Sequence, residues 1–165
     1  MNDNMIDRTI KRISYEILEK NKGIEDLIFL GIKTRGLYIG QRIVEFININ
    51  ENTNLKCYPL DVNYFRDDIK NKDTNKPTLD ISIDNKVVIL IDDVLYKGRT
   101  TRAALDAITY FGRAKQILLA VLVDRGHREL PIKPDFIGKN IPTSHSETVK
   151  VNLKEIDNIE GVFIY

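Results

Sequence analysis

The sequence predicts an α/β fold, a mostly parallel twisted sheet flanked by helices, in one domain over residues 1–165. Two stretches carry that expectation. Residues 26–32 and 86–91 are short and, after the leading Asp26 and Lys86, unbroken apolar runs, and each is followed by a polar turn and a segment with apolar residues at helical spacing. A strand buried on both faces reads as a continuous apolar run, and repeated βα units place such strands parallel. The length fits one ordinary domain able to bury roughly 70% of its unfolded surface.

In chain order, Met5, Ile6, Ile10, Ile13, Ile17 and Leu18 recur at three-to-four spacing between charged residues, which predicts an amphipathic helix over 4–22 that Gly23 ends. The run 26–32 is the first strand. Lys33, Thr34, Arg35 and Gly36 make a polar turn, and Leu37, Ile39, Ile43, Val44 and Ile47 mark the second helix. Residues 55–62 read as a strand. From Asn63 to Asp84 the chain is polar and charge-rich, which predicts a long mobile loop or an extended hairpin. The most apolar strand follows at 86–91. A turn from Asp92 to Thr100 then leads into a helix carrying Ala103, Ala104, Leu105, Ala107 and Ile108. Residues 116–123 supply a further buried strand. Residues 124–146 read as irregular and basic, with short strands near Phe136 and over 148–153.

Composition narrows the function classes. A net charge of +1 gives no whole-chain nucleic-acid signal, so any such claim rests on local clustering. The first twelve residues are mostly polar and charged, without the continuous apolar stretch of a signal peptide, and the longest apolar run, 117–123, is too short to span a bilayer. With a single cysteine, Cys57, these features give the expectation of a cytoplasmic protein without a membrane partner.

The chemistry concentrates after the third predicted strand. Ligands of open α/β sheets sit beyond the carboxyl ends of the strands, and Asp92 and Asp93 occupy that place. Adjacent carboxylates there are costly unless sugar hydroxyls or a hydrated cation face them. A turn start and helix cap is the alternative. Lys97, Gly98, Arg99 and Thr100 open a helix, where free N–H groups and the dipole favour a phosphate.

The whole run from Val87 to Thr101, VVILIDDVLYKGRTT, resembles the phosphoribosyl pyrophosphate (PRPP) signature of type I phosphoribosyltransferases. Lys97 stands where that pattern has its first threonine, so a hydroxyl donor is exchanged for an ammonium; both weaker and tighter 5′-phosphate binding, and weakened turnover, stay open. The segments GIKTRGLY (31–38), YFRDD (64–68), LVDRGHRELPI (122–132) and GKNIPTS (138–144) resemble the PyrR family over nearly the whole chain. That resemblance implies a small C-terminal hood on the sheet, uracil phosphoribosyltransferase activity, and attenuation of pyrimidine operons by binding leader mRNA in response to uridine nucleotides. A dedicated phosphoribosyltransferase without RNA binding is the alternative.

The same resemblance assigns the residues. PRPP or UMP would be held by Lys33, Thr34, Arg35 and Gly36, the pyrophosphate turn, and by Asp92, Asp93, Val94, Leu95, Tyr96, Lys97, Gly98, Arg99 and Thr100. Asp92 and Asp93 would hold the ribose hydroxyls and orient Mg²⁺ carried with PRPP, with no metal ligated directly. Arg66 and Asp67, with Asp68, would lie on a flap closing over the reaction. A polar turn and a solvated charge cluster are the plain alternatives for those two segments. Phe136 would stack on the base and Ile137 would offer main-chain hydrogen bonds. Tyr96 stands where purine-using relatives carry an acid, which favours a pyrimidine. RNA would meet Lys11, Arg12 and Lys20 on the first helix and Arg128, Lys133 and Lys139 beyond, with Arg125 and His127 nearby, across a homodimer or higher homo-oligomer. Periodicity alone reads these basic sets as solvated faces.

Overall fold

The computed structural model describes residues 1–70 and 74–165. Helix α1 (Asp3–Asn21) starts where the Asn2 side chain accepts the Met5 N–H at 3.0 Å and stops at left-handed Lys22. It buries Ile6, Ile10, Ile13 and Ile17. Strand β1 (Leu27–Ile32), α2 (Arg35–Glu51), β2 (Cys57–Leu60), β3 (Val87–Leu95), α3 (Arg99–Phe111), β4 (Gln116–Asp124) and β5 (Phe136–Asn140) follow. Pairing in this sheet is parallel throughout, in the order β2-β1-β3-β4-β5.

The unbroken apolar runs are explained by the two layers. On β3, Val87, Ile89 and Ile91 pack with α1 and α2, whereas Val88 and Leu90 pack with Ala103, Ala104, Ala107 and Ile108 of α3. Alternate side chains enter opposite cores, so each position must be apolar. Phe29 and Leu30 divide β1 in the same way.

Three expectations change. The strand expected over 55–62 is only Cys57–Leu60, and no hairpin is found among the described residues of the 63–84 stretch, which holds one 3₁₀ turn, Asn63–Phe65. The loosest part of the resemblance, from residue 73, begins outside the described residues. Strand β3 runs on to Leu95, so Asp92, Asp93, Val94 and Leu95 are strand residues, not turn residues. Pairing of Asp92 with Val121 and Val94 with Val123 continues the ladder past the point where side chains turn polar.

The hood is a second, antiparallel sheet of β6 (Val149–Asn152) and β7 (Gly161–Ile164), with the one-turn helix α4 (Lys154–Asp157) between them. Arg42 of α2 fastens it by donating to Glu155 at 2.8 and 2.7 Å and to Glu160 at 2.5 and 3.1 Å. Those carboxylates hold the Arg42 pKa above its ordinary value.

Candidate functional site

The carboxyl ends of β3 and β4 lie side by side, and the loops leaving them build one site. Asp92 is buried, and its carboxylate accepts the Asp93 N–H at 2.9 Å; Asp93 accepts the Val94 N–H at 2.8 Å. Burial, then the neighbouring Asp93 carboxyl, pushes the Asp92 pKa well above the usual carboxylate range, and Arg66 opposes the shift. A hydrated cation or a hydroxyl beside Asp92 would relieve that cost.

The turn between β3 and α3 is only Tyr96, Lys97 and Gly98. Gly98 sits at φ +90°, where a side chain would be strained, and has no side chain to cap the helix. The first intrahelical bond of α3 goes from Arg102 N–H to Gly98 C=O at 2.9 Å, so the amides of Arg99, Thr100 and Thr101 start without helical acceptors. The Thr101 hydroxyl is buried with no hydrogen-bond partner. Free amides, a dipole and an unpaired hydroxyl at one helix start suit an anion.

The 63–70 loop folds back over this turn. Arg102 donates to the Phe65 carbonyl at 2.9 Å, Arg66 holds Asp68 through two bonds of 2.8 and 2.5 Å, and Asp67 lies 3.9 Å from both Arg99 and Arg102. Arg66, Asp68, Asp92 and the stretch Val94–Thr101 enclose a recess of about 400 Å³ counted to its open mouth. The sequence-assigned Arg66 and Asp92 therefore meet. A larger recess is lined by Lys33, Asp61, Tyr64 and residues 75–80, but neither Asp92 nor the start of α3 borders it.

Other assignments shift. Arg35, expected to contact pyrophosphate, begins α2 and donates twice through one Nη to Asp157 of the hood at 2.9 and 3.2 Å, while its buried Nε has no hydrogen-bond partner. Gly36 is also helical, and a Cβ there would lie 2.4 Å from the Ile91 carbonyl; its smallness serves the α2–β3 contact. Lys33 reaches Asp61 at 3.8 Å, and the Lys33–Thr34 peptide is cis. Phe136, expected to stack on a base, is 3% exposed in the α1-side core, with Lys20 above its ring, because it is the first inward residue of β5. The Ile137 carbonyl accepts from Arg12.

Sequence reasoning missed the residues that hold the turn. Arg125, grouped with the RNA cluster, is 5% exposed; its guanidinium lies 3.9 Å over the Tyr96 ring and bonds Thr143, Ser144 and Glu147. Arg128 donates to the Tyr96 carbonyl at 2.9 Å, to the Ile132 carbonyl at 3.0 Å and to Asp124 at 2.5 Å. A side chain so placed supports the turn. The signal was available: Arg125 to Arg128 follow a strand that neighbours β3. His127 meets the Thr143 carbonyl, and its ring lies 4.0 Å from that of His145.

The basic residues fall into two groups. Arg12 reaches Glu16 and the Ile137 and Gly138 carbonyls, and Lys20 reaches Asp135 at 3.7 Å, so one face of α1 meets β5, which carries exposed Lys139, with exposed Lys133 just before it. Lys11 borders a separate recess with Arg42 and Phe46.

Comparison with known proteins agrees with the fold. The model of the phosphoribosyl transferase domain family matches residues 2–156. A protein of Limosilactobacillus reuteri called bifunctional protein PyrR is 56% identical over 163 residues, covering 95% of this chain and 92% of that protein. One of the same name from Brevibacillus brevis is 52% identical, covering 99% and 94%. Among solved structures, the hypoxanthine phosphoribosyltransferase of Trypanosoma cruzi superposes with a TM-score of 0.76 at 14% identity, covering 99% of this chain and 93% of that one. That of Staphylococcus aureus gives 0.72 at 21%, covering 95% and 84%. At those identities the likeness concerns the fold.

Proposed function

The chain belongs to the phosphoribosyltransferase family and, within it, to the PyrR group; on that premise we propose that it forms UMP and pyrophosphate from uracil and PRPP. The observation that carries the proposal is the recess where Asp92 meets the uncapped start of α3. The 5′-phosphate would accept from the amides of Arg99, Thr100 and Thr101 and from the unpaired Thr101 hydroxyl. Asp92 and Asp93 would accept from the ribose hydroxyls, and the charge of Mg²⁺, arriving as part of the PRPP complex, would offset their repulsion through bound water.

Displacement at the anomeric carbon places positive charge on the sugar while pyrophosphate leaves. Fixing the phosphate and both hydroxyls holds that carbon in place, and the loop with Arg66 would cover the reacting face and exclude water. Tyr96 holds its ring against Arg125 and offers no acid to a purine, which supports a pyrimidine acceptor. The assay is UMP formation from PRPP with uracil, run beside hypoxanthine and guanine. Turnover of a purine in place of uracil overturns the assignment.

We further propose that the protein attenuates pyrimidine operons by binding leader RNA in response to uridine nucleotides, as a homodimer or higher homo-oligomer in the cytoplasm. Exposed Lys133 and Lys139 beside the Arg12 face of α1 support a phosphate-binding surface on one side of the chain. No helix among the described residues is long and apolar enough to cross a membrane. Tighter binding of leader RNA with UMP present is the expected result.

A further inference from the structure

Resting on the reading that the turn before α3 holds the 5′-phosphate, we propose that Glu129 decides whether Lys97 takes part. It holds the Lys97 ammonium away from the phosphate, and weakening that hold recruits Lys97 as an additional phosphate ligand.

Glu129 accepts from Lys97 Nζ at 2.9 Å with one oxygen and from Arg99 Nε at 3.2 Å with the other. Its own N–H donates to the Lys97 carbonyl at 3.0 Å, so the carboxylate is anchored to the segment it neutralises. The neighbours of Glu129 cover the outer side of the turn: a Cβ on Gly98 would lie 3.2 Å from Ile132 and 3.6 Å from Leu130. None of these three borders the recess that Asp92 and Arg66 line. Lys97 itself borders that recess, so Glu129 holds its ammonium at the recess edge, on the side away from Asp92, with Nζ 5.5 Å from the centroid of the Tyr96 ring.

A carboxylate and a phosphate compete for the same donors, and a phosphate is the stronger acceptor of charged hydrogen bonds. The Glu129 pairs are exposed and screened, so their hold is weak and one removed charge moves the balance. Contact with Glu129 raises the Lys97 pKa, and Lys97, then Arg99, lowers that of Glu129, so both partners stay charged through the neutral range. Asp67, 3.9 Å from Arg99, is the other acid beside that guanidinium.

The test is a double-mutant cycle on UMP and inorganic phosphate affinity, measured by calorimetry at low salt. Glu129→Gln is expected to tighten UMP roughly three- to fivefold. Lys97→Ala alone is expected to stay near the wild type, because its lysine is already withheld. In the double variant the gain should vanish, and high salt should erase it in the single one. A Glu129→Gln protein that binds UMP no better than a UMP-binding wild type overturns this inference and leaves the site standing. So does a gain that persists without Lys97. A wild type that binds neither UMP nor phosphate removes the site reading and this inference together.

Discussion

The Asp92 carboxyl is buried beside a second acid at the end of a strand, and the fold keeps it there at a cost in stability. Between the ordinary value of 3.8 and its raised native pKa, the folded chain holds a proton that the unfolded chain has released. Stability therefore falls as pH rises through that window. Asp92→Asn is expected to raise the thermal midpoint at neutral pH, each kcal/mol recovered giving about 2–4 °C in a domain this size. The gain should shrink toward pH 3, while PRPP binding is lost. Scanning calorimetry across pH and titration with PRPP measure both; a variant that is less stable at neutral pH sinks the account. This residue was legible because two acids after an apolar run have few structural uses. The surroundings of Arg35 and Phe136 were not legible for one physical reason: a sequence gives residue type, but Asp157, which Arg35 meets, lies over a hundred residues away, and the core that covers Phe136 is built from other elements. Cys57, whose thiol burial pushes up to about 12, is a simpler case. Alkylation at pH 8 should proceed orders of magnitude more slowly in the native protein than in denaturant.

At the scale of elements, the β4–β5 connection acts as a brace for the β3–α3 turn. Arg128 ties it to the Tyr96 carbonyl and to Asp124, while Arg125 lies against the Tyr96 ring. Arg128→Ala leaves those acceptors without their charged donor, each bond being worth about 1.5–3 kcal/mol. The expected outcome is a melting midpoint lower by several degrees together with weaker UMP binding. Unchanged UMP affinity in a folded variant would separate the brace from the site. Strands β1, β3 and β4 were legible because their apolar stretches feed two cores on alternate residues. The end of β3 was not, because the ladder to β4 continues under polar side chains that read as a turn. The hood elements α4 and β7 escaped notice because their four residues each carry no periodicity, and their place is fixed by Arg42 and Arg35 from α2.

Across the whole molecule, the basic residues that a sequence can only count become a surface once α1 packs on β5. That packing also divides them. Arg12 is engaged by the Ile137 and Gly138 carbonyls, so Arg12→Ala should lower stability as well as any RNA affinity. Lys133 and Lys139 are exposed, and removing either should leave the fold intact. For every RNA phosphate that a variant no longer neutralises, the log–log salt dependence of leader binding should flatten by roughly 0.7 to 0.9. Lys133→Ala and Lys139→Ala are therefore expected to weaken the leader at low salt, flatten the slope by about one phosphate each and keep the wild-type melting midpoint and UMP affinity. Filter binding at several salt concentrations, with the pyrimidine-operon leader and a scrambled hairpin, distinguishes this from non-specific attraction. Equal binding of both RNAs by the wild type, or wild-type slopes in both lysine variants, would remove the regulatory role and leave the nucleotide site, whose recess neither lysine borders.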